Sequence, residues 1–281
     1  MPFTTLVTTA TLAEHLGDPA VAVIDCRYNL ADEDWGRREF RERHIPGAVY
    51  AHLHHDLAGE RTGTNGRHPL PDSGQAVRTF GRLGVGPGIQ VIAYDQDAGM
   101  YASRLWWMLR WMGHEAVAVL DGGWARWVAE GRPTESGDHH ATPRVFVGAP
   151  RAGMVVGVTD VAPHVGDPSW RLVDARAPER YRGEVEPIDR VPGHIPGAVN
   201  QFYMTNMSES GTFLPPDQLA ARFRETAGGV PAERIICYCG SGVTACHNLL
   251  AWEHAGIRGV RLYPGSWSEW SSDPSRPVEK S

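Results

Sequence analysis

The chain has 281 residues, of which 42% are hydrophobic and 21% charged, a composition typical of an ordered globular protein with one large or two ordinary domains. A formal net charge of −6 argues against a sequence-independent nucleic-acid binder, which would need a basic face. The first 22 residues lack the basic start, apolar core and cleavage pattern of a signal peptide, and no apolar run reaches the length of a membrane helix. We therefore expect a cytoplasmic protein with no nucleic-acid partner and no membrane partner.

The first half of the chain alternates strand-like and helix-like segments. The apolar run from Val21 to Asp25 predicts a short buried strand, and the charged stretch from Asp32 to Arg43 predicts a helix. The next six residues, HIPGAV from His44 to Val49, contain Pro and Gly, which indicate a turn into the following strand.

Several segments of the first half recur in the second. The HIPGAV segment returns unchanged from His194 to Val199. At nearly the same spacing, VIDCR from Val23 matches LVDAR from Leu172, and LDGGW from Leu120 matches YPGSW from Tyr263. The period is far longer than a solenoid repeat, so it indicates a duplicated domain. The alternation within each copy predicts an α/β fold, with a mostly parallel sheet and helices on both faces.

The boundary between the copies is visible in the composition. The stretch from Gly131 to Gly153 is rich in Gly, Pro, Ser, Thr and His without a sustained period, as is typical of an exposed connector. We place the linker at residues 136–152, between an N-terminal domain of residues 1–135 and a C-terminal domain of residues 153–281. Clefts between domains are favoured ligand sites, so we expect one here.

One cysteine stands at a position that favours reactivity. The run from Arg234 to Tyr238 predicts a buried parallel strand, and the apolar spacing from Val243 onward predicts a helix. Cys239 follows the strand directly, and the glycines after it allow a tight loop whose backbone N–H groups point inward at a helix N-terminus. Such a setting stabilises a thiolate over a thiol, which predicts a nucleophile.

The remaining cysteines do not call for chemistry. Cys26 and Cys237 are interpreted as buried apolar residues, the usual environment of this residue type. The four cysteines do not form a secreted disulfide framework, and a reducing compartment would keep them as thiols. Aligning IAYD at residues 92–95 with ICYC at residues 236–239 places Asp95 where the second half has Cys239. The first half therefore lacks a nucleophilic thiol, and we interpret it as a structural and substrate-shaping partner.

Taken together, these segments resemble the two-domain rhodanese family of sulfurtransferases over nearly the whole chain. The resemblance rests on HIPGAV in each half, on SRLWWMLRWMGH and LDGGWARW in the first half, and on CGSGVTA and LYPGSWSEW in the second. It implies tandem rhodanese-like domains, of which the first is non-catalytic. It also implies that Cys239 carries a persulfide from a small-molecule sulfur donor to a thiol acceptor such as thioredoxin, or to cyanide. No cofactor and no metal are expected.

The CGSGVTA loop resembles that of the 3-mercaptopyruvate sulfurtransferases, whereas thiosulfate-preferring members tend to have basic residues after the cysteine. Residues 240–244 carry no positive charge, although a dianion such as thiosulfate would gain from one. We therefore predict 3-mercaptopyruvate as the donor, with a thiosulfate:cyanide sulfurtransferase as the alternative.

The resemblance also implies a set of residues around the nucleophile. The Cys239 thiolate would attack the donor sulfur, and His68, in a loop that crosses the domain cleft, would relay a proton together with Ser241. The family's relay aspartate matches His54 directly, so Asp56, two residues later, is proposed in its place. The backbone N–H groups of the loop would hold the sulfur anion, a role that we assign to Gly240, Gly242, Val243 and Thr244.

Substrate carboxylate recognition favours a guanidinium group. Arg180, within APERYRG, matches a family arginine that binds the substrate anion. A second family arginine should precede the second HIPGA segment, and Arg190 is the candidate, although it lies only four residues before His194.

Three other functions are less consistent with these residues. A cysteine-loop phosphatase would need an arginine six residues after the nucleophile, where this chain has Ala245. A zinc site built from Cys237, Cys239, Cys246 and His247 would not have ligand spacing typical of zinc, because the last two should lie on a helix and point largely away. A non-catalytic sulfur carrier or binding module would lack the reactive cysteine.

Overall fold

The computed structural model describes residues 2–281, which divide into two compact units. Unit 1 contains the described residues up to Gly59, together with Pro71–Arg151 and Glu209–Phe213. Unit 2 contains Glu60–Leu70, Ala152–Ser208 and Leu214–Ser281. Each unit therefore includes one short segment from the other half of the sequence.

Unit 1 is built on a five-stranded sheet in which every neighbouring pair is parallel. The order of the strands across it is β1-β5-β4-β2-β3, so the connections from β1 to β2 and from β3 to β4 pass over intervening strands. The strands are β1 (Leu6–Val7), β2 (Val21–Asp25), β3 (Val49–Tyr50), β4 (Gln90–Tyr94) and β5 (Val117–Leu120). The helices are α1 (Thr9–Glu14), α2 (Trp35–Glu42), α3 (Leu53–Asp56), α4 (Ser73–Arg82), α5 (Ala102–Trp111) and α6 (Gly123–Ala129).

Unit 2 repeats this plan with four parallel strands in the order β7-β6-β8-β9. A single parallel bridge from Val155 to Leu262 takes the place that the first strand has in unit 1. The strands are β6 (Arg171–Asp174), β7 (Val199–Asn200), β8 (Ile235–Tyr238) and β9 (Arg261–Leu262). The helices are α7 (Val158–Val161), α8 (Pro178–Arg182), α9 (Pro216–Ala227), α10 (Thr244–His254) and α11 (Ser266–Trp270), with short 3₁₀ turns at Ala162–His164, Tyr203–Asn206 and Ala232–Arg234.

The motifs shared by both halves build the same buried network in each unit. In unit 1, Arg27 Nε donates to Asp25 Oδ2 at 2.9 Å and its guanidinium lies 4.6 Å from the ring centre of Trp124. In unit 2, Arg176 Nε donates to Asp174 Oδ2 at 3.0 Å, and its guanidinium lies 4.9 Å from the centre of a tryptophan ring in α11. Buried charges are stable only when paired and hydrogen-bonded, which these are. The repeated residues therefore form the same buried ion pair and the same arginine–tryptophan contact in each unit.

The predicted fold class is confirmed, since both units are α/β with parallel sheets flanked by helices. The strand at Val21–Asp25 has the predicted bounds, and the charged stretch forms the shorter helix α2. Within residues 2–281, no helix is both long and apolar enough to cross a membrane.

Candidate active site

Cys239 lies in unit 2 at the carboxyl end of β8, at the start of a tight loop that leads into α10. Its side chain is buried, and its Sγ accepts a hydrogen bond from the backbone N–H of Gly242 at 3.1 Å. Gly242 has a φ of +75°, and a Cβ there would lie 2.5 Å from the carbonyl oxygen of Pro264. Only glycine fits this backbone, and the turn that it permits aims an N–H at the sulfur.

The backbone of Cys239 is held by the first residue of α11. Ser266 Oγ accepts the backbone N–H of Cys239 at 3.1 Å and donates to the carbonyl of Tyr263 at 2.9 Å. Ser266 has a φ of +54°, a strained value for a residue with a side chain, and its counterpart Gly123 in unit 1 has +55°. The serine thus keeps a backbone shape that suits glycine and adds a hydroxyl that anchors Cys239.

The loop of unit 1 shows how this architecture holds a negative charge. The carbonyl of Asp95 accepts the N–H of Trp124 at 2.9 Å, just as the carbonyl of Cys239 accepts that of Trp267 at 2.9 Å, so the two residues occupy equivalent positions. The Asp95 carboxylate accepts the N–H groups of Gly99, Tyr101 and Ala102 at 2.7–3.1 Å. The loop before a helix therefore cradles an anion with backbone groups alone.

Asp95 gives unit 1 a stability that depends on pH. Burial raises the pKa of this carboxyl group from 3.8 to about 6, despite the backbone N–H groups, which act in the opposite direction. Between these values the folded protein holds a proton that the unfolded chain has lost, so the free energy of unfolding decreases as the pH rises through the window.

We expect Asp95→Asn to remove this dependence. The difference in free energy of unfolding between variant and parent should shift in favour of the variant by about 2 kcal/mol between pH 4 and pH 7. Urea unfolding of both proteins at the two pH values measures this shift, and a difference that does not change with pH would contradict the assignment.

His68 is brought to the loop by the segment Glu60–Leu70, which belongs to unit 2. Its ring is 2% exposed, and its Nδ1 lies 2.8 Å from Ser241 Oγ. Because Ser241 is two residues from Cys239, this pair places an imidazole and a hydroxyl at the Cys239 loop. The two residues predicted to relay a proton are thus in direct contact.

Asp56, the proposed third member of the relay, lies in unit 1. Its carboxylate accepts the backbone N–H of His52 at 2.9 Å and forms an ion pair with Arg82. His54, the direct sequence match, contacts the Tyr28 hydroxyl at 3.2 Å and Glu33 at 3.1 Å. Both side chains therefore have partners within unit 1, and the His68–Ser241 contact does not include them.

Two guanidinium groups lie against the loop. A Cβ built on Gly240 would be 2.8 Å from Nη2 of Arg67 and 3.6 Å from Nη2 of Arg180. Arg180 was predicted from the sequence, whereas Arg67 was not, although it directly precedes His68. Arg190 is exposed, and it is Asp189, the residue before it, that contacts both arginines. The structure therefore pairs Arg180 with Arg67 and leaves Arg190 outside the group.

The charge around the loop comes from residues outside it. The loop itself has no basic residue, but these arginines bring two positive charges to it from segments that are remote in the sequence. Asp189 and Glu186 pair with them, the latter at 2.6 Å from Arg180. The positive charges of the two arginines are therefore offset by the negative charges of Asp189 and Glu186.

The other cysteines are buried thiols. Burial raises the pKa of Cys26 and of Cys237, which keeps both protonated. Cys246 was expected to point away from the loop, but its thiol donates to the carbonyl of Gly242 at 3.2 Å. This is the back-bond available to a side chain in the first turn of a helix. Among residues 2–281, no group of three or more His, Cys, Asp or Glu side chains is arranged to hold a metal ion.

Comparison with known proteins identifies the family. The family model of the rhodanese-like domain matches residues 8–130 and 158–273. A probable 3-mercaptopyruvate sulfurtransferase of Pseudomonas aeruginosa is 46% identical over 275 residues, covering 97% of each chain. A thiosulfate sulfurtransferase of Rattus norvegicus is 34% identical, covering 94% of this chain and 91% of its own.

The solved structures agree with this result. The crystal structure of SseA from Escherichia coli, described among the 3-mercaptopyruvate sulfotransferases, has a TM-score of 0.79 and 36% identity, covering 94% of this chain and 99% of its own. The two regions that the family model matches fall in the two units, each of which has a parallel sheet flanked by helices. The chain therefore belongs to the rhodanese-like domain family and contains two such domains in tandem.

Proposed function

We propose that the protein is a sulfurtransferase that takes sulfur from 3-mercaptopyruvate and carries it as a persulfide on Cys239. The observation that carries this proposal is the contact of Cys239 Sγ with the Gly242 N–H, beside the His68–Ser241 pair at 2.8 Å. A thiolate, a set of backbone donors and a proton relay are the groups that sulfur abstraction from a carbon atom requires.

In the first half-reaction the Cys239 thiolate attacks the thiol sulfur of the donor. The new S–S bond forms as the C–S bond breaks, and the electron pair of that bond remains on the carbon as pyruvate enolate. The enolate then takes a proton, which His68 supplies through Ser241, and leaves as pyruvate. A proton from solvent then restores the relay.

In the second half-reaction an acceptor thiol or cyanide attacks the outer sulfur of the persulfide. The S–S bond breaks and its electron pair returns to Cys239 as a thiolate, which the loop stabilises. In the equivalent loop of unit 1, burial raises the pKa of Asp95, and the backbone N–H groups of Ala102, Tyr101 and Gly99 act in the opposite direction, as donors that favour the charged form. We propose thioredoxin-like thiols as acceptors in a reducing, cytoplasmic environment, where the cysteines would stay as thiols.

Arg180 and Arg67 would bind the carboxylate of 3-mercaptopyruvate. Guanidinium groups match carboxylate geometry, and their position over Gly240 would leave the donor sulfur beside Cys239. The two acidic partners limit the net positive charge, which favours a monoanionic donor over the dianion thiosulfate.

Turnover measured separately with the two donors tests this preference. We expect kcat/KM with 3-mercaptopyruvate to exceed that with thiosulfate by at least about tenfold. Thiosulfate carries a second negative charge near arginines that already have acidic partners, and a penalty of about 1.4 kcal/mol for that charge corresponds to a factor of ten. Cyanide serves as the acceptor in both assays, so only the donor differs. A tenfold preference for thiosulfate would instead establish the alternative function.

A further inference from the structure

One carboxylate already occupies the space between the two arginines that face the loop. Asp189 Oδ1 forms an ion pair with Nη1 of Arg67, and its Oδ2 lies 3.3 Å from Nη2 of Arg180. Each oxygen thus binds one guanidinium group. The side chain of Asp189 is only 5% exposed, so this is a desolvated contact rather than a surface ion pair.

This arrangement is the one that a carboxylate ligand would adopt. Both guanidinium groups approach Gly240, the residue after the nucleophile, within van der Waals distance of an added Cβ. A small carboxylate bound by the same two groups would therefore lie beside the Cys239 loop. Nη2 of Arg180 faces both Asp189 Oδ2 and the space beside Gly240, so Asp189 and such a ligand would compete for this group. Arg67 presents Nη1 to Asp189 and Nη2 to the loop, so the two carboxylates would also share its single positive charge.

Asp189 lies in the segment of residues 183–193 between α8 and β7, and a neighbouring side chain fixes its backbone. Glu186 Oε1 accepts the backbone N–H groups of Ile188 and Asp189, each at 3.1 Å, and Glu186 also binds Arg180 and Arg176. Among the described residues of this segment, Val185 is 51% exposed and Ile188 46% exposed. The segment lies outside the helices and strands, so it can move without breaking a sheet or a helix.

Opposing effects act on the carboxyl group of Asp189. Desolvation raises the pKa of Asp189 from its ordinary value, and the charges of Arg67 and Arg180 counteract this effect. Glu186 adds repulsion from close by. Because Asp189 is desolvated and has an acidic neighbour, its contact with the arginines is weaker than the two ion pairs alone would suggest.

We propose that Asp189 is a built-in competitor that occupies the donor's carboxylate site in the free protein and is displaced when a 2-oxo acid binds. The inference rests on the proposed function for the identity of the donor, and on the geometry for the site itself. Asp189 is a specificity residue in this view, since an anion gains access only if its contacts with both arginines exceed those of the internal carboxylate. The apparent affinity is reduced by the fraction of molecules in which the site is occupied.

The test is the binding of pyruvate, the carboxylate that the reaction would release. In the Cys239→Ser background no sulfur chemistry interferes, and calorimetric titration gives the dissociation constant directly. We expect Asp189→Asn, which keeps the shape and removes the charge, to tighten pyruvate binding by about tenfold.

Glu184→Gln is the matched control. Glu184 is an exposed carboxylate on the same segment, it pairs with Arg182 at 2.7 Å, and its loss changes the net charge by the same amount. This variant should bind pyruvate as the parent does. If it tightened binding as much as Asp189→Asn, the effect would be general attraction of anions, and the proposal would be wrong.

The remaining outcomes are equally decisive. Unchanged or weaker binding in Asp189→Asn would show that Asp189 merely holds the arginines in place, and an absence of pyruvate binding in every variant would show that the pair is not a carboxylate site. In the protein with Cys239 intact, Asp189→Asn should lower KM for 3-mercaptopyruvate with little change in kcat. Tighter pyruvate binding without any sulfurtransferase turnover would contradict the proposed function while leaving this inference standing.

Discussion

Replacing Cys239 with serine is expected to abolish sulfur transfer, lowering kcat by more than about 10³-fold with either donor. Serine keeps the size of the side chain and can still accept the Gly242 N–H, but its hydroxyl is neither ionised nor able to hold a transferable sulfur atom. Release of pyruvate and formation of thiocyanate, measured together, report the two half-reactions. Retained turnover in this variant would rule out Cys239 as the carrier.

Cys26→Ser provides the control for the loss of a thiol. Cys26 is buried in unit 1, where burial raises its pKa and keeps it protonated. Its replacement should leave kcat close to that of the parent. Circular dichroism and the urea midpoint of both variants then separate loss of chemistry from loss of fold.

His68→Ala is expected to lower kcat by about 10²–10³-fold for 3-mercaptopyruvate, because the enolate would lose its positioned proton donor. His68 Nδ1 contacts Ser241 Oγ at 2.8 Å, so the two should act as a unit. Ser241→Ala should then cause a similar loss, and the double variant little more than either single one. Losses that multiply would show two independent roles.

His139→Ala is the control for this prediction, since His139 is exposed and remote in sequence from the loop. It should keep the parental kcat and the parental dependence of kcat on pH.

The fold could be predicted from the sequence because its signals are local and occur twice. Apolar runs such as Val21–Asp25 identify strands, Pro and Gly in HIPGAV identify the turns, and the recurrence of the motifs identifies the duplication. The structure explains why these motifs recur, since the Asp25–Arg27 and Asp174–Arg176 pairs hold equivalent positions in the two cores. Shared residues build the units, whereas the residues that differ supply the chemistry.

The cysteine and its loop could also be predicted, because a strand, a cysteine and two glycines follow one another in the chain. The charged neighbours could not all be found in this way. Arg67 and Asp189 are 122 residues apart in sequence and meet only because the segment Glu60–Leu70 belongs to unit 2. An arginine before His68 gives no local sign of such a contact. The sequence of the Cys239 loop, which has no basic residue, therefore could not reveal the charges around it.

Asp56 was proposed as a relay residue only because it lies two residues after His54, the direct match to the family's aspartate. The structure shows its carboxylate bound to the His52 N–H and paired with Arg82. Its role in the relay stays a prediction, and the two bonds give it a structural task in unit 1 in any case. Sequence distance from a motif does not fix which way a side chain turns.

The most direct test of the account is the mass of the protein after reaction with 3-mercaptopyruvate in the absence of an acceptor. We predict an increase of one sulfur atom, about 32 Da, located on Cys239 by peptide mapping, lost on addition of cyanide or a thiol, and absent from the Cys239→Ser variant. Pyruvate released without any added sulfur on Cys239, or sulfur found on another cysteine, would contradict the account.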